Sequence, residues 1–151
     1  MSENNSTFLL NKIVFHSESI EFSLDNEDRI RQWINQVIQN ANCTLIQLSY
    51  IFCSDEYLHQ INVEYLQHDT YTDIITFPYQ EAPQIEGDLF ISIDRVRENA
   101  QTFKASFLEE LQRVMIHGVL HLCGQGDKTD EEQKVMRQKE AWALEILKSK
   151  A

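Results

Sequence analysis

The chain has little of what punctuates or staples a fold. Two prolines and four glycines in 151 residues leave no Pro- or Gly-rich linker, and there are no repeats or low-complexity tracts. One ordinary domain is expected, long enough to bury most of its apolar surface without covalent staples. The three cysteines, Cys43, Cys53 and Cys123, are odd in number and widely spaced. They give no disulfide framework and suit a reducing compartment. The absence of a Cys-x-x-Cys pair argues against thiol-ligated zinc. No apolar run approaches the length of a membrane span, and the opening M-S-E-N-N-S-T lacks the basic segment and apolar run of a secretory leader. A soluble cytoplasmic protein without membrane contact is expected. Basic residues are scarce, 13 Lys and Arg against 24 Asp and Glu, a net charge of −11. That argues against broad electrostatic attachment to nucleic acid. It leaves metal retention, a protein partner, or an RNA gripped by a few local residues.

What the chain does have is concentrated between Glu109 and Asp127, E-E-L-Q-R-V-M-I-H-G-V-L-H-L-C-G-Q-G-D. Leu111, Val114, Met115, Val119, Leu120 and Leu122 recur at three- and four-residue steps, which predicts a helix with one broad buried stripe. His117 and His121 fall on one face, one turn from each other. Gly124 offers a left-handed stop, and Gly126 permits a second bend that brings Asp127 back. Two imidazoles and a returning carboxylate make three corners of a tetrahedron with the fourth open, the arrangement of a catalytic zinc. A His-x-x-x-His pair alone is more often two hydrogen-bonded core or surface residues. The Gly and the carboxylate that follow, and the cost of burying two imidazoles without partners, favour the metal. Cys123, two positions past His121, points to another face and reads as a small core residue.

Elsewhere, helices and strands interleave. Residues 12–15 read as a strand, followed by a helix capped at Asp25, with Asp28 in its first turn, that runs to about Asn40. Residues 44–52 read as a strand. Ser54 and Asp55 open a second helix with Tyr57, Leu58, Ile61, Tyr65 and Leu66 on one face. A polar turn (68–73), a strand (74–77) stopped by Pro78, a loop with Pro83 and a strand (87–93) come next. A short helix (about 94–103) precedes the His-bearing one, and residues 130–148 form a charged last helix marked by Val135, Met136, Trp142, Ala143, Ile146 and Leu147. The fold class is α+β, a mixed sheet of roughly four strands covered by helices with a metal-binding helix at its centre.

Three segments carry a family resemblance: H-G-V-L-H-L-C-G at 117–124, I-N-V-E-Y-L-Q-H-D-T-Y-T-D-I-I-T-F-P at 61–78, and E-G-D-L-F-I-S at 86–92. Together, in this order, they resemble the YbeY family of ribosomal-RNA maturation endoribonucleases. The resemblance implies one zinc ion per chain, held by His117, His121 and Asp127, with the two histidines as the catalytic residues. It implies cleavage of single-stranded ribosomal RNA in 16S 3′-end maturation and ribosome quality control, with small-subunit ribosomal proteins and an assembly GTPase as partners. Two positions depart from the family pattern. Asp127 stands where a third His is usual; its carboxylate ligates at a similar distance but makes the ion a weaker Lewis acid. Leu66 stands where an Arg is usual, which removes a natural phosphate grip; His68 and Lys128 are candidate substitutes.

Two rival readings remain. A metzincin-like metalloprotease shares the ligand spacing but needs a Glu directly after the first His, where this chain has Gly118. A metal-stabilised ribosome-assembly factor that binds without cutting fits the acidic charge and Leu66. Asp88 reads as a turn or cap carboxylate. Asp73 reads as a partner behind a ligating His or as a turn residue. His16 and His59 have no supporting constellation and read as solvated.

Overall fold

The computed structural model describes residues 9–149. The segment expected to lack a leader (1–8) and the last two residues lie outside this range. Four strands are described: β1 (Ile13–Glu18), β2 (Thr44–Cys53), β3 (Ile74–Pro78) and β4 (Gln84–Ser92). Five helices accompany them: α1 (Glu27–Asn40), α2 (Asp55–Leu66), α3 (Ile93–Thr102), α4 (Phe107–Leu122) and α5 (Asp130–Ser149). The sheet order is β1-β2-β4-β3. β1, β2 and β4 run parallel, while β3 pairs antiparallel with β4 and ends the sheet. The fold is thus the mixed α+β arrangement expected. The strand order, unreadable from sequence, comes from α1 crossing between β1 and β2 and from the short return between β3 and β4.

Alternation along the strands separates two cores. Ile85, Leu89 and Ile91 of β4 join Leu48, Tyr50 and Phe52 of β2 in the main core with α1, α4 and α5. Phe90 and Phe77, on the opposite parity, pack with Cys53, Ile75, Leu58 and Ile61 under α2. α4 is the centre: Leu111, Val114, Met115, Val119, Leu120 and Leu122 are all buried, as their spacing predicts. Trp33 ties α1 to α5 by donating its indole N–H to the Ala143 carbonyl at 2.7 Å. Tyr50 reaches from β2 to α4, donating its hydroxyl to the Met115 carbonyl at 3.0 Å, and burial pushes its pKa well above the ordinary tyrosine value. Tyr50→Phe leaves that carbonyl without its donor and is expected to cost about 1–2 kcal/mol, read as a lowered thermal midpoint with an unchanged far-ultraviolet spectrum.

Local readings are corrected at three places. α1 starts from Asn26, whose backbone is left-handed (φ 57) and whose side chain makes no capping bond, rather than from Asp25. The α2 face closes early: Leu58 and Ile61 are buried, but Tyr65 and Leu66 are 68% and 40% exposed. The buried third member is polar Asn62, whose amide donates to the Thr70 carbonyl at 2.8 Å and pins the loop that follows. Trp142, read as an apolar mark of α5, is 40% exposed. No helix among the described residues is long and apolar enough to cross a membrane.

Candidate functional site

One side of α4 packs on the sheet and a neighbouring flank opens on a cleft. Gly118 lies on the packed side. A Cβ there would stand 2.9 Å from Ile74 Cδ1 and 3.0 Å from Leu89 Cδ2, so only hydrogen fits without movement. His117 and His121 lie on the flank beside it, which opens on the cleft. Together with Leu66, His68, Thr70, Thr72, Ile74, Thr76, Asp127 and Lys128 they line a cleft of about 410 Å³ between the end of α2, β3 and the α4–α5 turn. His117 is half-buried and His121 exposed. The premise of two buried imidazoles therefore holds in part for His117 and not for His121, because the apolar stripe turns both rings away from the core.

The turn that returns Asp127 is held at both ends. Gly124 has φ +102, as a left-handed stop requires, and Gln125 N–H donates to the Leu120 carbonyl at 3.0 Å. Beyond it, Thr129 and Glu132 form a capping box: Glu132 N–H donates to the Thr129 hydroxyl at 3.0 Å, and Thr129 N–H to the Glu132 carboxylate at 3.1 Å. Lys128 N–H adds a third bond to that carboxylate at 3.2 Å. These amide donors lower the Glu132 pKa.

The ring nitrogens are sorted by their partners. His117 Nδ1 lies 2.6 Å from a carboxylate oxygen of Glu140. His121 Nδ1 lies 3.3 Å from the Gln125 carbonyl. Both partners only accept, so the neutral form of either ring places its proton on Nδ1 and its lone pair on Nε2. His117 Nε2 in turn stands 3.4 Å from Asp127 Oδ2. That is about the edge of a tetrahedron whose ligands sit at roughly 2.0–2.2 Å from a zinc ion. The donor set thus fits zinc at two corners, with the His121 ring one turn away. Among the described residues no group of three or more His, Cys, Asp or Glu side chains is already drawn to metal-holding distances.

Behind His117 is a charged cluster that the motif did not reveal. Glu140, 4% exposed, belongs to α5. Arg113 bridges it to α4, 3.3 Å from Glu140 and 3.0 and 2.8 Å from the two oxygens of Glu110. Asp73 completes the group 3.9 Å from Arg113. The Glu140 hydrogen bond raises the His117 pKa against the lowering effect of burial. Bonding to Glu110 raises that of Arg113, against burial. Asp73 is raised chiefly by burial, opposed by Arg113 and His117. The partner behind His117 is therefore Glu140, while Asp73 accepts from Asn99 at 3.5 Å. A signal was present: Met136, Ala143 and Leu147 are buried on α5, and Glu140 falls at the same helical phase.

Other readings change as well. His59 is not solvated; it bonds Asp69 at 2.8 Å and stacks on Tyr71 with ring centres 4.2 Å apart. His16 is exposed as expected. Asp88 lies within β4 rather than in a turn, and accepts the Tyr79 hydroxyl at 2.6 Å. Cys123 is half-buried against the main core, its thiol pushed up to about 12 by burial and by Cys43. Both proposed substitutes for the missing Arg, His68 and Lys128, line the cleft, whereas Arg113 is committed to its carboxylates.

Fold and cleft together define an α+β protein with a histidine–carboxylate site on a central helix. Residues 12–148 match the family described as Endoribonuclease YbeY, and the chain belongs to that family. It is 53% identical over 120 residues to Endoribonuclease YbeY of Flavobacterium johnsoniae, which covers 80% of this chain and 86% of the relative. It is 53% identical over 130 residues to the protein of the same name from Amoebophilus asiaticus, covering 85% and 88%. Against that of Bacteroides thetaiotaomicron it is 43% identical over 132 residues, covering 87% and 96%. A solution structure of a Thermotoga maritima protein shares the fold, with a TM-score of 0.66, 24% identity, and 91% of this chain and 90% of that one covered.

Proposed function

We propose that this chain is a zinc-dependent endoribonuclease cutting single-stranded segments of ribosomal RNA, in 16S 3′-end maturation and ribosome quality control. One ion per chain would be held by His117, His121 and Asp127. The observation that carries this reading is the His117 Nε2–Asp127 Oδ2 separation of 3.4 Å, with both Nδ1 atoms already engaged. The endoribonuclease name borne by relatives across most of the chain supplies the reaction class. When bound, zinc lowers the pKa of water toward about 7 and polarises a phosphoryl oxygen.

The chain's own groups do the rest. Glu140 and the Gln125 carbonyl hold the two Nδ1 protons and so aim both rings. Asp127 contributes the negative charge that a third imidazole would not, tempering the ion. Lys128 and His68 line the cleft where phosphate would lie. Small-subunit ribosomal proteins and an assembly GTPase are the partners this role implies.

His121→Ala tests the assignment. Its side chain is exposed, so folding should survive while bound zinc and cleavage of a single-stranded RNA oligonucleotide fall together, the latter by about a thousandfold or more if the ion supplies several kcal/mol. Retained cleavage in zinc-free His121→Ala would refute the reading. The second reading, an assembly factor that binds without cutting, draws on Leu66 at the cleft rim and the net charge of −11. It predicts that zinc-free Asp127→Ala still supports ribosome maturation.

A further inference from the structure

β3 ends the sheet, with β4 on one side only. Its hydrogen-bond phase is fixed at both ends: Ser92 N–H donates to the Asp73 carbonyl at 2.9 Å, and Tyr79 N–H to the Glu86 carbonyl at 2.8 Å. Antiparallel pairs alternate between bonded and non-bonded. In the register that runs from Ile74↔Ile91 to Pro78↔Gly87, residues 75 and 77 therefore bond β4. The backbone groups of Ile74, Thr76 and Pro78 point the other way, out from the free edge. Pro78 has no N–H, so the outward donors are Ile74 and Thr76. Among the described residues neither of these amides meets a backbone acceptor. Exposed edges are commonly blunted by charge or covered, yet 74–77 reads I-I-T-F without a charge. Ile74 and Thr76 line the same cleft as His117, His121 and Lys128.

We propose that the free edge of β3 is the rail on which substrate RNA lies. The amides of Ile74 and Thr76 donate to phosphodiester oxygens, and their carbonyls accept from ribose 2′-hydroxyls. This rests on the nuclease reading and names how that cleft holds its substrate. The cleft is short of cations: Leu66 stands at its rim, Arg113 is tied to Glu110 and Glu140, and Lys128 is its one lysine or arginine among the described lining residues. Neutral backbone donors hold phosphate without adding charge, as they do in many nucleic-acid complexes. Outward carbonyls favour a strand that carries 2′-hydroxyl donors, the group that separates RNA from DNA.

The test is binding of a fluorescent single-stranded RNA 12-mer to the full chain after its metal has been removed with a chelator, so that nothing is cut. Thr76→Pro deletes one outward N–H and no ladder bond, and Pro78 already occupies the equivalent position two residues on. It should weaken binding about three- to tenfold, while Thr76→Val, which keeps the N–H, stays within about twofold. Salt dependence should be shallow, with a log–log slope of about −1 rather than the −4 or steeper expected of six phosphate-bound cations. A DNA strand of the same sequence should bind more weakly than the RNA.

If Thr76→Pro loses its fold by circular dichroism, amide resonances decide the matter. In wild type the Ile74 and Thr76 N–H signals should move on RNA addition and gain exchange protection. Equal affinity in folded Thr76→Pro, or unmoved amides in RNA-bound wild type, overturns the rail while leaving the nuclease reading intact. Absence of RNA binding by metal-free wild type overturns the rail; absence of cleavage as well, once zinc is restored, overturns both. Capture of an extended peptide by this edge in place of RNA would also overturn it.

Discussion

Glu140→Ala is expected to lower stability by about 3–5 kcal/mol, because it leaves Arg113 and His117 facing a buried site without their shared carboxylate. In a chain of this size that is a fall in the thermal midpoint on the order of 10 °C. The size follows from burial. Glu140 is 4% exposed and binds His117 at 2.6 Å and Arg113 at 3.3 Å, so water cannot readily replace it. Glu140→Gln separates structure from function. It keeps the volume and one acceptor, so the loss of stability should be smaller. It cannot offer His117 a charged acceptor, so zinc affinity should drop about 10–100-fold. A chelator-competition titration of both variants checks the pair. Unchanged zinc affinity in Glu140→Gln would show that the carboxylate does not aim the ring.

Gly118→Glu is expected to abolish folding rather than create a protease. Position 118 is where a metzincin-like enzyme carries its base, and the substitution is the direct trial of that rival. The Cβ alone would sit 2.9 Å from Ile74 Cδ1 and 3.0 Å from Leu89 Cδ2, on the sheet side of α4. A carboxylate there would be buried among apolar side chains without a partner, a loss of more than about 4 kcal/mol. Expression as insoluble protein, or a collapsed thermal midpoint, is the expected outcome. Soluble Gly118→Glu that digests casein when loaded with zinc would restore the protease reading.

The parts of the fold legible from sequence were those set by local periodicity. The α4 stripe, the Ser54 cap, the Pro78 stop and the left-handed Gly124 all depend on neighbours within a few residues. The sequence puts the α1 cap at Asp25, whereas the helix starts from Asn26, which adopts a left-handed backbone without a side-chain bond that the sequence would signal. The spacing of α2 puts Tyr65 and Leu66 on one face with Leu58 and Ile61, but helical phase does not say where a helix runs past the edge of the sheet. At the site, the His-Gly-Asp spacing identified the residues that gather at the cleft. It did not identify what sorts their nitrogens, since Glu140 lies 23 residues from His117 and meets it only once α5 packs on α4. A charged residue in the buried phase of α5 was the available clue. The free β3 edge could not be read without the strand order, which depends on long-range pairing.

Zinc content of the purified chain, measured by atomic absorption for wild type and Asp127→Ala side by side, tests most directly whether the carboxylate closes the site with the two imidazoles. The account predicts close to one ion per chain in wild type and a small fraction of that in the folded variant. Equal zinc in the two proteins, or none in wild type refolded with excess zinc, would contradict it.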